Sequence, residues 1–240
     1  MKIKTVTRKI RRLLPLRYCG AVIVAAGNAS RMGGIDKVMA PLMGEPVIRH
    51  TVRAFQDCEA IREIVVVTRQ ELIGPVMDLC KDFSKVTAVV TGGSDRAASV
   101  QAGLRTLSSK VRLVAVQDGA RPLVSFQVID RTVRAANTYG AAAPGIPVKD
   151  TVKVVRGGVV ASTPDRSSLQ AVQTPQVFDL DLLRAALKKA AKEKLPITDD
   201  CSAVELLGMS VKMVEGEERN IKITTPMDLR LAEMLMEERT

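Results

Sequence analysis

Arg31 and Lys37 place two cations in one short stretch of mostly small residues, Ala25-Ala26-Gly27-Asn28-Ala29-Ser30 before Arg31 and Met32-Gly33-Gly34 after it. Small side chains let backbone N–H groups approach an anion closely, and the cations add attraction, so the local chemistry suits a triphosphate. The spacing is not G-x-G-x-x-G and does not end in G-K-[ST], which disfavours dinucleotide enzymes and P-loop ATPases. Read alone, the same residues also describe a plain strand-to-helix turn.

Such a loop needs a parallel strand to present it. Apolar, β-branched runs recur at residues 21–25, 64–68, 86–90 and 113–116, separated by helical spacing at 46–57, 71–81, 96–107 and 125–137. The alternation predicts an α/β fold, a parallel sheet with helices on both faces, and it puts the loop at the carboxyl edge where such sheets bind ligands. Between 139 and 176 the pattern changes: β runs at 151–155 and 159–163 flank Arg156-Gly157-Gly158, a hairpin signal. A hairpin has little core of its own, so it folds back on the sheet or reaches another subunit. Helices near 180–194 and 199–207, strands at 211–214 and 220–223, and a helix from Pro226 complete the reading.

The 240 residues are 46% hydrophobic, enough for one well-buried core, with 18–240 read as a single domain. Aromatic residues are 2% of the chain and Trp is absent, which argues against aromatic platforms for base stacking. The formal charge is +10, yet residues 1–17 hold seven Lys/Arg and no acid, leaving 29 Lys/Arg against 26 Asp/Glu elsewhere. The basicity therefore belongs mainly to an N-terminal extension, read as flexible and solvated, with contact to membrane or nucleic acid as the other reading. That extension lacks a secretory apolar region, and no run is long enough to span a membrane, so a cytoplasmic location is expected. Cys19, Cys58, Cys80 and Cys201 are too scattered for a zinc site or disulfide framework and read as buried small residues. His50 is assigned no role.

Further motifs follow in order. Gly92-Gly93-Ser94-Asp95-Arg96-Ala97-Ala98-Ser99-Val100-Gln101-Ala102-Gly103-Leu104 fits G-G-x-x-R-x-x-S-V-x-x-G-L, and Asp118-Gly119-Ala120-Arg121-Pro122 fits D-[AG]-A-R-P. Pro147-Val148-Lys149-Asp150-Thr151, Asp165-Arg166, Gln173-Thr174-Pro175-Gln176, Ile197-Thr198-Asp199-Asp200 and Asn220-Ile221-Lys222 continue the series. With the first loop, this set resembles the 2-C-methyl-D-erythritol 4-phosphate cytidylyltransferases of the non-mevalonate isoprenoid pathway, from about Tyr18 onward. Departures are Asp36-Lys37-Val38 where that family often has Pro-Lys-Gln, Gln117 where His often precedes the Asp, and Ser94 at a frequently acidic position.

The resemblance implies a Rossmann-like, doubly wound, mostly parallel sheet of the nucleotide-diphospho-sugar transferase type, with a protruding β-hairpin arm at about 147–171. It implies transfer of CMP from CTP, with Mg²⁺ or another divalent cation, and a homodimer joined through the arm, with no nucleic-acid or membrane partner. By position, Arg31, Lys37 and Lys222 inherit catalysis, and Ala25, Ala26, Gly27, Gly93, Ser94, Ser99, Asp118 and Gly119 the nucleotide. Asp118 takes the metal or a hydroxyl, and Asp118, Arg121, Thr151, Arg166, Thr174 and Thr198 the acceptor. A glycine turn can offer its backbone to a cytosine edge, and Arg suits a phosphate dianion. Two alternatives stay open: a cytidylyltransferase for another polyol phosphate such as D-ribitol 5-phosphate, and a non-catalytic nucleotide- or nucleic-acid-binding protein.

Overall fold

The structure is a computed structural model that describes residues 15–27 and 36–238. Strand β1 (Cys19–Val24) is followed by a small ribbon of β2 (Pro41–Leu42) and β3 (Glu45–Pro46), then helix α1 (Val47–Asp57) and β4 (Ile61–Thr68). A 3₁₀ turn at Gln70–Leu72 leads into α2 (Ile73–Cys80), so the helix expected at 71–81 is divided. Next come β5 (Val86–Thr91), α3 (Arg96–Thr106), β6 (Leu113–Asp118) and α4 (Phe126–Tyr139). The second half holds β7 (Ala141–Pro147), β8 (Val154–Arg156), β9 (Val159–Ser162), β10 (Gln170–Val172) and β11 (Gln176–Asp179). Helices α5 (Leu180–Glu193) and α6 (Asp200–Glu205), strand β12 (Lys212–Glu215) and helix α7 (Pro226–Glu237) close the chain.

One eight-stranded sheet runs β10-β7-β11-β6-β1-β4-β5, with β12 beside β7. The pairings of β1 with β4 and β6, of β4 with β5 and of β12 with β7 are parallel, whereas β11 and β10 run against their neighbours. The sheet is thus mostly parallel. Residues of β1 alternate between faces as a two-residue period requires: Ala21 and Ile23 join α1, α4 and α7 in one core, while Val22 joins α3, α5 and α6 in the other. Burying each such Val or Ile is worth about 1.5–3 kcal/mol, and helices on both faces explain why the central strands are continuous apolar runs.

Local chemistry sets the helix starts. Asp95, Ser125 and Asp179 cap α3, α4 and α5 through their side chains, and Thr225 with Asp228 forms a capping box before α7, whose first turn opens with Pro226. The hairpin is a separate two-stranded sheet of β8 and β9, turned through Gly157 and Gly158 at φ +55° and +79°. Positive φ at both turn positions gives the twist a tight hairpin needs, and glycine tolerates it without a Cβ clash. Its first strand begins later than expected, leaving Thr151 outside it, while the second begins at Val159 as expected.

Two expectations are corrected. Residues 220–223 form no strand: Ile223 N–H donates to the Ala120 carbonyl at 2.8 Å, and side-chain bonds from Asn220 hold the rest, without a ladder. The stretch 139–176 supplies β7, β10 and β11 as well as the hairpin, because buried Ala141, Ala142 and Ala143 make a strand without the β-branched signature. All four cysteines are buried and unbridged. The expected extension lies mostly outside the described residues, but Arg17 pairs with Asp179 at 2.8 Å and bonds Asn137, so its end is tied to the body.

Candidate active site

Four strands end at one opening. The turns after β1, β4, β5 and β6 line a cleft of about 450 Å³ at the carboxyl edge of the sheet, the place where open α/β sheets bind ligands. Backbone bonds running past the strand ends hold these turns: Ala25 N–H to Val67 O at 2.7 Å, Gly92 N–H to Thr68 O at 2.8 Å and Gly119 N–H to Val24 O at 2.8 Å. A Cβ on Gly92 would stand 2.5 Å from that of Ala26 and 2.7 Å from Ser99 Oγ, so glycine is what lets the first and third turns meet. Behind it the Ser99 hydroxyl donates to Asp95 O at 2.8 Å and accepts from Gly93 N–H at 3.1 Å, fixing the shape of the glycine turn.

Charge gathers around one carboxylate. Asp118 at the end of β6 is 8% exposed. Lys222 Nζ lies 2.8 Å from its Oδ2, Arg121 Nε 3.6 Å from the same oxygen, and Arg96 Nε 3.6 Å from Oδ1. Burial pushes the Asp118 carboxyl up, but Lys222, Arg96 and Arg121 together outweigh it and hold the group below the usual carboxylate value. Arg96 also lies 2.7 Å from Asp200, which is 1% exposed. Burial pushes the Asp200 carboxyl above its ordinary value against that pull. The result is a chain of alternating charge, Lys222–Asp118–Arg96–Asp200, running from the cleft into the protein.

The cleft brings together Ala25, Ala26, Gly27, Lys37, Gly93, Ser94, Ser99, Asp118, Gly119 and Lys222. Lys37 Nζ stands 3.9 Å from where a Cβ on Gly27 would be. Arg31 lies outside the described residues. Arg121 and Thr174 sit beneath the cleft: Arg121 Nη1 donates to Asn220 O at 2.6 Å, and the Asp118 N–H donates to Thr174 Oγ1 at 3.1 Å. Thr198 lines a neighbouring cleft of about 400 Å³ that shares Asp95 and Arg96 with the first. Thr151 and Arg166 are not brought in. Arg166 donates to Lys149 O at 2.6 Å in a shallow hollow on the arm whose lining has no residue in common with the cleft.

Arg96 and Asp200 stand in the sequence motifs without a role assigned to them, and Arg69 was not singled out. Arg96 carries a readable signal: a cation at the first position of α3 faces the positive end of the helix dipole, so it needs an anion from elsewhere. Asp199 and Asp200 give a similar one, since Asp199 caps α6 with Ser202 and leaves Asp200 turned inward. Arg69 follows β4 directly and has no motif around it.

A family model for IspD, 2-C-methyl-D-erythritol 4-phosphate cytidylyltransferase, matches residues 19–238. A protein of that name from Caldanaerobacter subterraneus is 43% identical over 225 residues, covering 90% of this chain and 97% of its own. Another from Symbiobacterium thermophilum is 45% identical over 219 residues, covering 90% and 92%. Among solved structures, the 4-diphosphocytidyl-2C-methyl-D-erythritol synthase of Anaerococcus prevotii superposes with TM-score 0.84 at 30% identity, covering 92% of this chain and 96% of that one. The 2-C-methyl-D-erythritol 4-phosphate cytidylyltransferase of Thermus thermophilus gives 0.75 at 35% identity, covering 92% and 99%. With Lys37, the Gly93 turn, Asp118 and Lys222 gathered at one cleft and relatives matched along nearly their whole length, the chain belongs to the 2-C-methyl-D-erythritol 4-phosphate cytidylyltransferase family.

Proposed function

We propose that this chain transfers CMP from CTP to 2-C-methyl-D-erythritol 4-phosphate, giving 4-diphosphocytidyl-2-C-methyl-D-erythritol and pyrophosphate in isoprenoid precursor biosynthesis. The observation that carries the chemistry is a nucleotide-sized cleft lined by Lys37, Arg96 and Lys222, with Asp118 between the last two. An oxygen of the acceptor phosphate attacks the α-phosphorus, the bond to the bridging oxygen of the β-phosphate breaks, and pyrophosphate leaves. The nucleophile is already anionic, so the protein aligns two mutually repelling anions and stabilises charge on the α-phosphoryl oxygens.

Lys37 and Arg31 serve the triphosphate and Lys222 the α-phosphate. Asp118 holds Lys222 by one of its three N–H donors and keeps the ammonium at the cleft. Ala25, Ala26, Gly27, Gly93, Ser94 and Gly119 offer backbone to the nucleotide, and Ser99 keeps the Gly93 turn in shape. Arg121 and Thr174 act through Asp118, while Thr198 in the adjoining cleft and Thr151 and Arg166, carried by the arm to the cleft of a second copy, are assigned to the acceptor.

No group of three His, Cys, Asp or Glu side chains able to cage a metal occurs among the described residues. Asp118 still offers a hard oxygen at the cleft, and Mg²⁺ commonly takes one carboxylate with water and phosphates completing its shell. The residues present fit such a cation: Asp118 would hold it together with the triphosphate, and it would offset phosphate charge.

A homodimer joined through the arm is supported by Val154, Val155, Val159 and Val160, apolar side chains exposed on β8 and β9. No helix among the described residues is long and apolar enough to cross a membrane, and we place the enzyme in the cytoplasm.

Pyrophosphate release from CTP and Mg²⁺ with either acceptor tests the reading. Turnover is expected with 2-C-methyl-D-erythritol 4-phosphate. Strong preference for D-ribitol 5-phosphate overturns the acceptor, and no release with either overturns the enzyme.

A further inference from the structure

Arg69 is the first residue after β4, and its guanidinium reaches three groups. Nη2 pairs with Asp36 Oδ2, Nη1 donates to the Gly27 carbonyl at 3.4 Å, and Nε donates to Glu71 Oε1 at 2.6 Å. The other Asp36 oxygen accepts from Val38 N–H at 2.9 Å, and the Asp36 carbonyl accepts from Met39 N–H at 3.1 Å. Asp36 thus closes a turn with Lys37 inside it, and the next residue, Val38, is buried. Gly27, the residue beside the Lys37 ammonium, is gripped by the same guanidinium that grips Asp36.

An acid next to a cation that serves phosphates is electrostatically wrong if charge were its only effect, because it lowers the local attraction for an anion. Its geometry supplies a different effect. A planar guanidinium holds two acceptors at fixed angles, which an ammonium on a flexible stem does not.

We propose that Arg69 and Asp36 are positioning residues for Lys37: by bridging the Gly27 carbonyl and the Asp36 carboxylate, Arg69 fixes the Lys37 ammonium where it meets the nucleotide phosphates. The proposal rests on the assignment of Lys37 to those phosphates. Misplacing a catalytic group by about 1 Å costs up to ~10²-fold in rate, so a loss of this pair is expected to register in turnover.

The test is steady-state kinetics with CTP, Mg²⁺ and 2-C-methyl-D-erythritol 4-phosphate on Asp36→Asn, Arg69→Gln, Arg69→Lys, the Asp36→Asn/Arg69→Gln double variant and Lys37→Ala. Each single change at 36 or 69 is expected to lower kcat roughly tenfold or more, with the KM for the acceptor unmoved. Arg69→Lys should behave like Arg69→Gln, and the double variant should be no worse than the poorer single one, because both act through one contact. An Asp36→Asn enzyme with equal or higher kcat/KM for CTP overturns the proposal, since that is the outcome of charge alone. So do full activity in Arg69→Lys and multiplied losses in the double variant. Lys37→Ala separates the levels: its loss of turnover beside an unaffected Asp36→Asn sinks the positioning pair alone, whereas its near-normal turnover sinks the phosphate assignment and the pair with it.

Discussion

Asp118 in the cleft is 8% exposed and has three cations within 3.6 Å, while Val159 on the arm is 70% exposed and Arg166 reaches a single carbonyl, that of Lys149. Both regions carry motif residues, yet one is cross-tied and buried and the other stands in solvent. In the cleft, proposed function and stability share side chains: the groups assigned to phosphate also neutralise one another. On the arm they are separate, because almost nothing in the fold depends on Thr151 or Arg166. On the proposed assignments, a substitution in the cleft is therefore expected to disturb both properties and one on the arm to disturb acceptor recognition alone.

The largest effect is expected from Asp118→Asn, which leaves Lys222, Arg96 and Arg121 around a neutral side chain. Breaking a buried, hydrogen-bonded charge group costs about 3–5 kcal/mol, and losing the anchor of Lys222 costs ~10² or more in kcat. Denaturant unfolding and pyrophosphate release measure the two. The acid dependence follows from the depressed carboxyl: its stabilisation is present above the ordinary carboxylate pKa and is lost as pH falls through the lower folded value. Asp118→Asn should flatten that acid limb, and an unchanged limb would place its origin elsewhere.

Arg96→Leu comes next. It strands Asp200, which is buried and pairs with Arg96 at 2.7 Å, at a cost of about 3 kcal/mol at neutral pH. Because the Asp200 carboxyl is already raised by burial, the variant should recover as pH falls and that group takes up its proton. Adding Asp200→Asn should restore most of the loss, and additive destabilisation in the double variant would break the charge-chain picture.

Arg166→Ala is the smallest in stability and the most selective. An exposed side chain that bonds the Lys149 carbonyl should shift unfolding by no more than about 0.5 kcal/mol, while the KM for the acceptor rises and that for CTP stays. Equal damage to both substrates would erase the distinction between cleft and arm.

The order of the main strands and helices in the first half was legible because β1, β4 and β6 are buried on both faces and read as apolar runs, β5 keeps a β-branched run at the sheet edge, and helical spacing lies between. The short ribbon of β2 and β3 was not read. The cleft's cations Lys37 and Lys222 and its carboxylate Asp118 were legible from motifs on turns after strands. The strand β7 was not, since Ala141-Ala142-Ala143-Pro144-Gly145 has neither alternation nor branching. Residues 220–223 misled in the opposite direction: the alternating side chains Ile221 and Ile223 pack on the core, but the Ile223 N–H bonds to the turn after β6 rather than to a neighbouring strand.

By itself the sequence determined the fold class, the family resemblance and the residue types that can hold phosphate, because these depend on local periodicity and on short ordered motifs. Only the tertiary structure decided which charges compensate which. Asp118 gathers cations from positions 96, 121 and 222, and Arg69 joins positions 27 and 36. Such pairings are set by how strands lie side by side in the sheet, and Coulomb interactions fall with distance through space, not along the chain.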